Sequence, residues 1–115
     1  VNMHELMDED EAKVILESFK GPGAEWDNKP NVRINFYTKI IKSGKRVEIA
    51  KVINTLLRKK IGAEHEDKKL GEFDRKILMS VQSILFKELA ITLNTSVEEI
   101  HDMVIANIQE EYVNI

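Results

Sequence analysis

Apolar residues recur along the chain at three- and four-residue intervals, and no stretch alternates cleanly enough to make a strand. Asp8 with Glu11 three residues on predicts a capping box. The helix it opens runs to about Phe19, with Val14, Ile15 and Ser18-Phe19 on its buried side. Gly21, Pro22 and Gly23 then start a loop that reaches Pro30 and holds the single tryptophan, Trp26. Pro30 suits the first turn of a second helix, where its missing N–H has no intrahelical partner to lose. That helix reaches Lys42 and stops at Ser43-Gly44, with Ile34, Tyr37, Ile40 and Ile41 on one apolar face.

A third helix is expected over about 46–60, burying Val47, Ala50, Ile53, Leu56 and Leu57, before a charged, glycine-led loop over 62–69. The fourth and longest helix, about 71–93, turns Phe73, Ile77, Leu78, Val81, Ile84, Leu85, Leu89 and Leu93 inward. Thr95-Ser96-Val97-Glu98-Glu99 offers two overlapping capping boxes for a fifth helix. It continues to about Glu111 with Val97, Ile100, Val104 and Ile108 as its buried stripe. The pattern predicts an all-α, compact five-helix domain with no internal repeat. Residues 1–115 read as a single helical domain in which 1–25 form a lead-in helix and loop.

Composition agrees. A chain of 115 residues with 43% hydrophobic and 32% charged positions makes one globular domain without staples. The absence of cysteine removes disulfides, thiolate nucleophiles, zinc fingers and iron–sulfur clusters together. No apolar run approaches the ~20 residues that span a bilayer. Val1-Asn2-Met3-His4-Glu5 lacks the basic and apolar regions of a signal peptide, so a cytoplasmic location is expected, with no membrane partner. A start at valine is what a piece of a longer protein would show.

Catalysis needs a poised acid, base or nucleophile, and no credible set is present. His4, His65 and His101 fall in three separate segments, and no pair has the i, i+4 spacing that binds a metal on one helix face. Gly21-Pro22-Gly23 is too short for a phosphate-cradling loop. A protein that is not an enzyme, with no metal and no cofactor, is the expectation.

Charge changes the picture once the formal net −3 is divided along the chain. Residues 1–27 carry a net −6 and residues 61–115 another −6, while residues 28–60 set ten bases against Glu48 alone, a net +9. One basic third between acidic flanks suits either a polyanion-facing surface or internal pairing with those flanks. Lys39, Lys42, Lys45 and Arg46 cluster around the Ser43-Gly44 turn, and Lys51, Arg58 and Lys59 share one side of the third helix. These seven are expected on one contiguous exposed edge and, with Arg33, are the candidate nucleic-acid-binding residues. Lysine and arginine on such an edge suit phosphate contacts, which hold DNA without reading its sequence. The competing reading is a solvated helix face. Trp26 is either a staple against the core or an exposed aromatic that stacks on a base.

The stretch from Trp26 to Val104 resembles the helical C-terminal domain of CarD-like bacterial transcription regulators. Arg33, Tyr37, Ile41-Lys42-Ser43-Gly44, Glu48, Ala50, Val52-Ile53 and Thr55-Leu56 stand in the order and spacing of that family, and Leu70, Asp74, Leu78, Leu85 and Glu88-Leu89-Ala90 fit its long helix. Met7 to Phe19 is similar to its lead-in helix. Lys45 replaces the family's acid after Ser-Gly, Asn54 replaces an arginine, and Val81 replaces a small alanine. Pro30 stands where some relatives place a tryptophan that wedges into the minor groove, which favours the staple for Trp26. The resemblance implies a domain that contacts promoter DNA and helps RNA polymerase hold the open promoter complex. It also implies a separate strand-rich N-terminal domain, binding the RNA polymerase β subunit, that is absent from this chain. The alternative from another class is a helical protein–protein interaction module, using an apolar groove or the acidic flanks, with no direct DNA contact.

Overall fold

Five helices form where the chain's punctuation allows them: α1 (Glu9–Ser18), α2 (Pro30–Ser43), α3 (Arg46–His65), α4 (Glu72–Thr92) and α5 (Val97–Val113). The structure is a computed structural model that describes residues 7–21, 23 and 28–113, with 110–113 as backbone alone. Among the described residues there is no strand, and the fold is all-α. No single helix is long and apolar enough to cross a membrane.

The helix starts follow from local chemistry. Asp8 Oδ1 accepts the Glu11 N–H at 2.8 Å, while the Glu11 carboxylate, rather than closing the box, turns to Arg46. Pro30 occupies the first turn of α2 as expected, and Gly44 ends it at φ 69°, a left-handed position that a side chain would strain. Of the two boxes offered at α5, the inner one makes its first half: Ser96 Oγ accepts the Glu99 N–H at 3.1 Å, while the Thr95 hydroxyl donates to the Glu99 carboxylate.

Helix α3 is the central rod. Residues 52–57 are all buried in succession, which a helix shows only when neighbours surround it. Those neighbours are α1, α2 and α4, with α5 closing the other side of α4 and touching α1. Asn107 Nδ2 donates to the Leu16 carbonyl at 2.8 Å across that last contact. The α1–α2 loop crosses α3 at Gly23, where a Cβ would come within 2.8 Å of the Thr55 backbone nitrogen; only glycine permits the approach.

Two expectations are corrected. Helix α3 runs past Lys60 to His65, because Ile61 is still buried and Gly62 weakens a helix by only ~1 kcal/mol. It stops at Asp67, whose left-handed φ of 58° lets the Lys68 N–H reach the Ala63 carbonyl at 2.7 Å. Asn94 ends α4 in the same way. Second, Val14, Val47, Phe73 and Ile84 face solvent, and Val97 sits at the margin. Helix α4 carries apolar residues round more than half its circumference. Leu78, Val81, Leu85, Phe86 and Leu89 take the core side, so Phe73, Ile84 and Ile91 are left outside.

Candidate nucleic-acid interface

The eight basic candidates divide by residue type. Each arginine is turned toward partners inside the fold, and each lysine projects outward. Arg33 meets Asp74 across 41 positions of sequence in a two-point contact, Nη2 to Oδ2 at 2.8 Å and Nε to Oδ1 at 3.2 Å. This planar fork-to-carboxylate match ties α2 to α4, with both side chains largely buried. Tyr37 lies against the pair, and burial, with the Asp74 charge second, pushes its hydroxyl up to about 12.

Arg46 joins three helices. From the start of α3 it donates to Glu88 on α4 at 2.7 and 2.9 Å and to Glu11 on α1 at 3.2 Å. The Glu88 hydrogen bonds, foremost, hold its guanidinium pKa above the ordinary value. Arg58 does different work. Its Nη2 donates to the carbonyls of Phe19 and Gly21 at 2.9 and 2.8 Å, and its Nε to Asn54 Oδ1 at 2.7 Å. Asn54 Nδ2 in turn donates to Gly21 O at 3.0 Å. Helix α1 has no basic residue in its own last turn, so α3 supplies the cation that its carbonyl end favours. The contiguous exposed edge expected from sequence therefore lacks Arg46 and Arg58, which pair with an acidic flank and with the α1 end.

The lysines remain outside. Lys39 and Lys42 are one turn apart on α2, Lys45 precedes α3, and all three are exposed. Lys45 gives α3 no side-chain cap, as its replacement of an acid implied. Lys51 is exposed and stands 3.9 Å from Glu48. Lys59 is exposed 14 positions beyond Lys45, about 21 Å along the α3 axis. Trp26 lies outside the described residues.

Beside Lys59 the structure brings in two lysines that the sequence reading passed over. Arg58, Lys59, Lys68 and Lys69 line an open basin of about 830 Å³, with Asn28 of the α1–α2 loop on one side and Glu66 as its one carboxylate among the described residues. Gly62 and Ala63, one turn after Lys59, leave the floor of the basin bare. Charge counting placed Lys68 and Lys69 in the acidic third, and the loop assigned to 62–69 hid that they fold back against α3. The signal available was two small residues, Gly62 and Ala63, one turn after Arg58-Lys59.

As a class this is a small all-α domain with arginines turned inward and lysines turned outward. Its family is definite: the model for the CarD C-terminal domain matches residues 14–105, and the chain belongs to that family. It is thus a CarD-like, transcription-related domain. No curated protein matches the chain.

Proposed function

We propose that this chain is the DNA-contacting domain of a transcription regulator, holding promoter DNA through its phosphates and helping RNA polymerase keep the promoter open. The observation that carries the reading is the lysine-rich basin at the end of α3, with Lys59, Lys68 and Lys69 converging beside the α1–α2 loop. Lys39, Lys42, Lys45 and Lys51 extend the positive surface toward the other end of the same helix. Lysine ammonium groups on long stems suit phosphates, which position a duplex without specifying sequence. Contact with RNA polymerase itself belongs to a separate domain, and catalysis has no part in the reading.

The test is a salt series of binding to a forked duplex. Phosphate contacts give a log–log slope of about −0.9 for each phosphate neutralised. Changing Lys59, Lys68 and Lys69 to glutamine should flatten the slope by about 1 per effective contact. A wild-type domain that shows no DNA binding at low salt would remove the proposal and favour the protein-binding alternative.

A further inference from the structure

Helix α4 and the α2–α3 corner enclose a groove of about 490 Å³ whose apolar lining the DNA reading leaves unused. Val81 and Leu85 form its floor, Ile41 and Ile49 one wall, and Ile84 and Ile91 the other. The outer wall is exposed to a degree unusual for isoleucine, Ile84 at 69% and Ile91 at 82%. Clustered apolar exposure of this kind marks an interaction surface more often than scattered single residues do. Between the walls, Glu88 is held by Arg46 through both oxygens, and it is the one carboxylate lining the groove among the described residues.

Its rim is basic. Lys42 follows Ile41, Lys45 follows Gly44, and Lys87 stands between Ile84 and Ile91; all three are exposed, and none makes an ion pair among the described residues. From these features we infer that the groove is the docking site for an acidic amphipathic helix of a partner protein. Ile84 and Ile91 are seven positions apart, about 10.5 Å, the interval between anchors i and i+7 of an incoming helix. From Val81 to Ile91 the groove runs about 15 Å, room for three helical turns. Phosphates would gain nothing from four isoleucines, whereas a helix with leucines inward and glutamates outward satisfies the lining and the rim together.

The experiment uses two fluorescein-labelled peptides of about 16 residues, some four helical turns, with leucine at i, i+3, i+7 and i+10 on an alanine background. One carries glutamate at its flanking positions and the other lysine, and binding is followed by anisotropy. The acidic peptide should bind and the basic one should not. Ile84→Glu should weaken the acidic peptide at least about tenfold, or about 1.4 kcal/mol. Exchange of Lys42 and Lys45 for glutamate should weaken it by a smaller factor that shrinks with added salt. Phe73→Glu, on the same helix but outside the groove, should leave binding and melting temperature unchanged. Equal binding of the two peptides, or indifference to Ile84→Glu, would overturn the inference. So would a concentration-dependent dimer of the domain alone that Ile84→Glu dissolves, which would give the groove to a second copy. No DNA enters these assays, so their failure and failure of DNA binding are read separately.

Discussion

The two ends of α3 are built alike, each with one arginine turned inward and lysines turned outward, yet the arginines hold different kinds of acceptor. At the first end Arg46 grips Glu11 and Glu88, carboxylates about a third exposed that can return to water if released. At the far end Arg58 bonds the Phe19 and Gly21 carbonyls and the side chain of buried Asn54. Phe19 and Asn54 are almost wholly buried and have no comparable route to solvent. Two equally good sets of distances should therefore differ in what their loss does to the domain, because the penalty lies mainly in the acceptor left behind.

The Arg33–Asp74 tie sets the upper limit for that comparison. Asp74→Ala takes the Asp74 carboxylate from a guanidinium whose side chain is 11% exposed, and urea unfolding should show a loss of about 3–5 kcal/mol. Next in size, Arg58→Met should cost about 2–3 kcal/mol by the same measurement, since three acceptors lose a donor. Arg46→Met should cost about 1 kcal/mol, near the range of solvent-accessible ion pairs. Equal losses at Arg46 and Arg58 would break the distinction between the two ends.

Helix boundaries were legible wherever a side chain does the capping or stopping: Asp8, Pro30, Gly44 and Ser96 stand where periodicity and turn chemistry place them. The end of α3 was not, because an exposed aspartate such as Asp67 visits the left-handed region more readily than most residues, yet too seldom for Asp alone to mark a helix end. The exposed side of α4 was hidden because apolar residues cover more of that helix than the core can accept. For the candidate site, spacing on one helix shows which residues share a face but not which distant group waits opposite them. Asp74 and Glu88 lie more than 40 positions from Arg33 and Arg46, so the arginines read as surface charge. The lysines are exposed and could be read directly, except Lys68 and Lys69, whose return to α3 follows the left-handed turn at Asp67.

Alkaline melting sharpens the picture at a third point. The Tyr37 hydroxyl has its pKa at about 12 in the fold against 10.0 as a free side chain, so the folded state keeps a proton that the unfolded chain loses between those values. Stability from this group is present below about pH 10 and declines as pH rises through 12, by up to about 2 kcal/mol. The decline should be absent from Tyr37→Phe and so stand out in the difference between that variant and wild type, compared from pH 8 upward by thermal melting.

The smallest effect on stability is expected for the lysines. Lys59→Gln, Lys68→Gln and Lys69→Gln should each stay within ~0.5 kcal/mol of wild type in the same unfolding assay. A lysine substitution as damaging as Arg58→Met would place that lysine among the fold's own ties and erase the division between inward arginines and outward lysines.

The contact of α1 with α5 has a mechanical consequence. Because Asn107 holds the Leu16 carbonyl, the first and last helices touch each other directly. Force applied to α1 is therefore shared among three ties, to α5 through Asn107, to α3 and α4 through Glu11 and Arg46, and to the lysine basin through the Phe19 carbonyl and Arg58, so no one seam carries it alone.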